Sequence, residues 1–238
     1  MQTETAIQND SILAQLKART AHQHQATEAT VDLMREDFSL DDYRHLLVKF
    51  YAFYQLFEDK MREALKHNPI DFNHHERLNT PKILADLKSL GMSESEISQI
   101  EPTNDLPALD SRENIFGSLY VIEGSTLGGQ VISRHLKQKF DLDETNGAAF
   151  FSGYGKDTGK MWNGYRESVT NFAESGANAE EIITGANETF EKIGHCKPLI
   201  NFVFPKTSLE YVNLAKLFAR CVLIFPMLSV LELSMALQ

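Results

Sequence analysis

Cysteine is almost missing from this chain, with two residues in 238. Neither Cys196 nor Cys221 stands at a metal-ligand spacing, which excludes a disulfide scaffold and a cysteine-built zinc site. Both are read as buried or idle thiols of a reducing compartment. Positive charge is also scarce. Lys and Arg number 23 against 33 Asp and Glu, a net charge of −10, and no basic run breaks this balance. A nucleic-acid partner is therefore not expected, and an anionic ligand must be met by local Lys and Arg against an unfavourable global field. Long apolar runs are missing too. The longest, residues 221–231, is broken by Pro226 and Ser229 and falls short of the roughly 20 residues that span a bilayer, so no membrane partner is expected. The opening MQTETAIQND lacks the apolar segment of a signal peptide, which points to the cytoplasm. Internal repeats and low-complexity segments are absent, and strand signals nearly so.

What is there is helical. Residues 11–34 place Ile12, Leu13, Leu16, Ala26, Val31 and Leu33 at helical intervals. Ser39 with Asp42 makes a capping-box start for a helix through Leu65, whose Leu46, Leu47, Phe50, Phe53, Tyr54 and Phe57 recur every three or four residues. Thr80 reads as an N-cap followed by Pro81 at the first helical position, and Gly91 as the stop of that helix. Ser93 and Glu96 cap a short helix, residues 102–107 are a loop, and Asp110 starts a long helix to about Phe140. Residues 147–159 are glycine-rich and read as loop or short helix. Two more helices follow, near 160–174 and 178–194. Helices on one core imply an all-α fold, a single-domain irregular helical bundle.

Inside the long helix, YVIEGSTLGGQ carries Gly124, Gly128 and Gly129. Each costs a helix roughly 1 kcal/mol relative to alanine. Two explanations fit: tight helix packing, since Gly124 and Gly128 share a face, or a bend that lets the backbone lie against a flat ligand. His24 and Glu28 stack four apart on the first helix. They read either as a solvated polar pair or as a metal-ligating imidazole with a carboxylate behind it. His22 points about 160° away from His24 and is expected to be exposed. A di-iron bundle needs Glu-x-x-His from two helices, and no Glu-x-x-His occurs; Asp42-x-x-His45 stands alone. His74, His75 and Glu76 lack partner ligands at zinc spacing. Residues 123–127 lack the second glycine of a nucleophile elbow, and no Gly-Lys-Ser/Thr follows the glycines to make a phosphate loop. One histidine backed by a carboxylate, a glycine-bent helix and many phenylalanines remain compatible with a haem pocket, lined by Phe116, Leu119, Leu127 and Phe190. The two propionates would call for Arg, Lys or Tyr at the rim.

Three segments resemble the haem oxygenase family in its bacterial, biliverdin-producing branch. LKARTAHQHQATE, residues 16–28, is similar to the proximal helix, in which a threonine stands four before the iron-ligating histidine. Thr20 thereby selects His24, and Glu28 falls at the carboxylate partner. YVIEGSTLGGQVISRHL, residues 120–136, is similar to the distal helix, with Gly124, Gly128 and Gly129 at its glycines. FFSGYGKDTGKMWNGYRESV, residues 150–169, matches a stretch in which the arginine, here Arg166, contacts a propionate. TFEKI, residues 189–193, resembles the last core helix and places Phe190 at the pocket wall. The chain departs from the pattern in two places. Ser125 and Thr126 stand where many members carry an aspartate that organises the distal water. Trp162 stands at a propionate-binding lysine, for which Lys17 would compensate.

The resemblance covers about residues 10–195, and it implies a haem-oxygenase-like domain at 1–195 and a C-terminal tail, 196–238, without an assigned role. For that tail a docked helix, an interfacial anchor and a segment foreign to the domain all remain open. The resemblance further implies that haem lies between the proximal and distal helices as both substrate and cofactor. His24 would ligate the metal, and Gly124, Ser125, Gly128 and Gly129 would act on the distal side. Lys17, Glu28, Arg166 and Phe190 would complete the haem contacts. The implied reaction opens haem to biliverdin, carbon monoxide and ferrous iron with O2. Electrons would come from an external donor such as ferredoxin or a reductase, because the chain shows no nicotinamide or flavin fingerprint. A biliverdin-using photoreceptor is a further implied partner. Two rivals are a haem-sequestering protein without turnover and a thiamine-degrading relative of the same fold, which would need a nucleophilic core cysteine.

Overall fold

The capping residues read from the sequence start their helices where expected, with two shifts of one residue. A computed structural model describes residues 11–31 and 33–196. The chain runs through α1 (Ile12–Val31), α2 (Leu40–His67), α3 (Thr80–Ser89), α4 (Glu94–Ile97), α5 (Arg112–Phe140), α6 (Ala149–Ser152), α7 (Thr158–Glu174) and α8 (Ala179–His195). Single 3-10 turns lie at His75–Arg77 and Gly155–Asp157. The class is all-α, as the periodicity predicts. The N-terminal decapeptide, Cys221 and the 221–231 run lie outside the described residues. None of the described helices is long and apolar enough to cross a membrane.

Ser39 accepts from the Asp42 N–H while the Asp42 carboxylate accepts from the Ser39 N–H, and Ser93 with Glu96 repeats the arrangement at α4. The cap of α5 is Ser111 rather than Asp110; its hydroxyl accepts from Asn114 N–H at 3.1 Å. At α3 the cap position falls to Asn79, and Thr80 is already helical. The reason is long-range. The buried Glu58 carboxylate on α2 accepts the N–H of Asn79 at 2.5 Å and of Thr80 at 3.3 Å, so donors left orphaned at a helix start are satisfied from another helix. Asp86 does the same for α6, accepting from Ala149 and Phe150 N–H at 2.7 and 2.8 Å. Gly91, at φ +86°, follows the end of α3 in a left-handed conformation that suits glycine.

Leu46, Leu47, Phe50, Phe53, Tyr54 and Phe57 form the buried face of α2. Phe53 and Phe57 stack at 5.1 Å, and Phe150 of α6 meets Phe50 and Tyr54 at 5.2 and 5.6 Å. α5 and α8 cross at backbone contact. A Cβ on Gly117 would meet Ala186 N at 2.7 Å, and one on Gly185 would meet Asn114 O at 2.8 Å. The Thr189 hydroxyl bonds Ser118 Oγ across the same crossing at 2.8 Å. α1 lies on another side of α8. Thr27 Oγ1 donates to Phe190 O at 3.2 Å, and Gly194 faces Thr27. α8 therefore supports both α1 and α5, and α7 packs on the same two helices.

His74, in the turn before Arg77, is 4% exposed, and neither ring nitrogen has a hydrogen-bond partner. Burial, aided by His75, Arg62 and Arg77, pushes its imidazole down to about 4. A depressed folded value means that the contribution of the uncharged ring is present above about pH 6.5 and is lost as pH falls through 4. Asp86, which burial raises to about 6, works the other way over an overlapping window. Its contribution is lost as pH rises through 6. Comparing wild type with His74→Leu isolates the histidine. Between pH 6.5 and 4 the variant should lose roughly 2–3 kcal/mol less stability than wild type, read from denaturant unfolding at each pH. Parallel pH curves would rule out this role.

Candidate functional site

His24 sits half-buried on α1, with Nδ1 3.5 Å from Glu28 Oε2. Its imidazole meets the Phe190 ring of α8 nearly edge-on, at 5.4 Å and 75°. A ring whose Nδ1 is directed to a carboxylate presents Nε2 as its coordinating nitrogen. Thr20, one turn earlier, is buried and bonds back to Leu16 O at 2.8 Å. His22 is exposed, as its position on the helix predicts. Lys17 is exposed two turns before His24. The structure thus brings His24, Glu28 and Phe190 together.

The three glycines of α5 have different surroundings. At Gly129 a Cβ would stand 2.6 Å from the Phe151 carbonyl oxygen, so this position lets the α6 backbone approach α5. At Gly128 a Cβ would meet nothing within 4 Å. At Gly124 it would meet only the tip of the Trp162 indole, at 3.8 Å. The packing explanation therefore holds for Gly129, and Gly128 is bare backbone with open space in front. Ser125 donates to Ile122 O at 2.7 Å and also hydrogen-bonds the buried Tyr54. Arg166 is exposed on α7 and donates to Asn163 Oδ1 at 3.3 Å. Phe116 is buried in a stack on Phe172 at 4.7 Å, and Leu119 is fully buried.

Sequence reasoning missed the charged group behind the glycines. Glu123 is completely buried and accepts from Arg77 Nη1 at 2.5 Å and from Tyr154 OH at 3.0 Å. Burial is the largest influence on Glu123 and raises its carboxyl above the usual range, while Arg77, Tyr154 and Lys82 pull it back. Arg77 also donates to Met161 O at 3.1 Å and lies over the Phe72 ring at 4.2 Å. The pair ties the turn before α3, the distal stretch of α5 and α7 to one point. The signal was a lone acid among the apolar residues Val121 and Ile122. Replacing Arg77 by leucine leaves a buried carboxylate without its cation and should cost about 3–5 kcal/mol. Arg77→Leu with Glu123→Leu should recover much of that in chemical unfolding; a double variant no more stable than the single one would contradict the pairing.

Among the described residues, no three His, Cys, Asp or Glu side chains gather as a metal cage. Cys196 is buried, and burial pushes its thiol up to about 11. That disfavours the thiolate which a nucleophilic cysteine requires, and it weighs against Cys196 as the nucleophile that the thiamine-degrading rival would need.

A family model described as Heme oxygenase matches residues 10–195. A comparison with curated proteins found no match. Among solved structures, the chain is similar to the NO- and CO-bound heme oxygenase of Neisseria meningitidis. Identity is 23% and the TM-score 0.62, over 77% of this chain and 88% of that one. It is also similar to the heme oxygenase of Leptospira interrogans, with 18% identity and a TM-score of 0.61, over 78% of this chain and 97% of that one. Likenesses of this degree carry the helical fold.

Proposed function

The chain belongs to the haem oxygenase family and is an enzyme that degrades haem, and on that premise we propose that its products are biliverdin, carbon monoxide and ferrous iron. Bound haem supplies both the iron that activates O2 and the ring that is opened. The residues present suit such a group. The observation that carries the reading is the bare backbone at Gly128, on a helix supported by the same α8 that supports α1 and His24. A side chain at Gly128 would fill space that a flat macrocycle needs.

In this reading His24 holds the iron through Nε2, and Glu28 fixes the ring's orientation through Nδ1. Phe190 presents an apolar wall and turns the imidazole edge-on. Gly124 and Gly128 form the distal face, and Gly129 supports it by admitting the α6 backbone. Ser125 stands on the distal stretch where many family members have an aspartate, its hydroxyl donating to Ile122 O. Lys17 and Arg166, both at the surface, meet the propionates and offset a chain of net charge −10. Electrons come from an external donor such as ferredoxin or a reductase. The expected compartment is the cytoplasm, and a biliverdin-using photoreceptor is a fitting consumer of the product. All assigned residues precede the 196–238 tail.

Adding haem, a reductant and air should make the Soret band decay into a biliverdin spectrum. A Soret band that forms and then persists under these conditions would instead favour sequestration without turnover. Arg166→Glu should weaken haem binding by about 1.5–3 kcal/mol, the scale of a charged hydrogen bond. Titration followed at the Soret band measures this, and an unchanged affinity would remove Arg166 from the rim.

A further inference from the structure

Gly124 and Gly128 share a face of α5, four residues and about 6 Å apart along the axis, yet only one of them is open. The Trp162 indole lies over Gly124, with its ring tip 3.8 Å from where a Cβ would stand. The indole is held firmly. It stacks on the Tyr165 ring at 5.3 Å and 21° and meets Tyr120 at 6.0 Å. Tyr165 is itself fully buried, and its hydroxyl donates to Phe116 O at 2.9 Å. A rigid aromatic wall therefore closes one end of the glycine face and leaves the other end clear. A plate lying on this face can rest over Gly128, but its rim meets the indole at Gly124. The wall also carries no charge, so it suits an apolar stretch of the rim, while Arg166 stands one helical turn further along α7.

We propose that Trp162 is a specificity-determining residue: by closing the Gly124 end of the distal face, it fixes the in-plane position of haem and thereby which meso edge is opened. This rests on the haem-opening reading. Removing the wall leaves room for the plate to slide or turn, so one seating becomes several.

The test compares wild type, Trp162→Ala and Trp162→Phe in two measurements. Proton NMR of the ferric haem complexes reads the seating without turnover, because each in-plane orientation gives its own set of shifted haem methyl resonances. Chromatography of the biliverdin isomers reads the outcome after turnover. Wild type should give one dominant methyl set and one isomer. Trp162→Ala should give additional sets, mixed isomers and a haem affinity lower by roughly three- to tenfold, the scale of one lost aromatic contact. Trp162→Phe keeps a ring to stack on Tyr165 but reaches less far, so it should fall between the two. It also carries the test if the alanine variant fails to fold. A single unchanged methyl set and a single unchanged isomer in every variant that folds would overturn the proposal and leave Trp162 as a packing residue only. Failure of wild type to form a Soret complex would instead sink the haem-opening reading, and this inference with it.

Discussion

His24→Ala is expected to abolish ring opening while leaving part of the haem affinity. The affinity that remains comes from burial of the macrocycle, which does not need the imidazole. What disappears is the iron ligand, and with it the histidine-type absorption spectrum. Loss should exceed the roughly 10–100-fold typical of removing an outer partner, which is the range expected for Glu28→Ala. The structure gives the reason for ranking the two. Glu28 touches only Nδ1, at 3.5 Å, and the ring keeps its edge-on contact with Phe190 when the carboxylate is gone. Absorption spectra and turnover of the His24, Glu28 and His22 variants decide the matter. If His22→Ala removed the spectrum and His24→Ala did not, the assignment of the ligand would be wrong.

The second large effect separates the glycines. Gly128→Val should fold and lose haem binding, because its side chain enters open space in the free protein and the space of the plate in the complex. Gly128→Ala should even gain some helix stability, up to about 1 kcal/mol. Gly129→Ala should behave in the opposite way. Its Cβ would press on the Phe151 carbonyl, which is backbone and cannot turn aside, so the cost is at least the roughly 1–3 kcal/mol of an overpacked core. Gly117→Ala at the α5–α8 crossing should be worse still. Thermal melts beside haem titrations would show two classes. Equal melting temperatures for Gly128→Val and Gly129→Ala would contradict the division.

Periodicity made most of the helices legible, because an apolar face repeats within a few residues and a cap such as Ser39 lies three residues from its partner. Sites set by distant neighbours were not. Nothing near Asn79 announces that Glu58 supplies its cap, and nothing near Ala149 announces Asp86. The three glycines looked alike in sequence because the difference between them lies in what faces them: the Phe151 carbonyl, the Trp162 ring, or open space. His24 and Glu28 were legible as a pair because the helix itself brings them together. Phe190, 166 positions from His24 by numbering, was legible as one apolar wall residue among several, but its edge-on contact with His24 was not, because only the fold brings the two rings together.

The Arg77–Glu123 pair has a consequence for how this sequence is able to drift. The two positions lie 46 apart in the chain but share one buried contact. A chain that changed either one first would pass through a form with a stranded charge in its interior, at a cost comparable to much of a domain's whole margin of about 5–15 kcal/mol. Each position thus blocks change at the other, and the two evolve as one unit. A related chain lacking the arginine should also lack the acid, with apolar residues in both places.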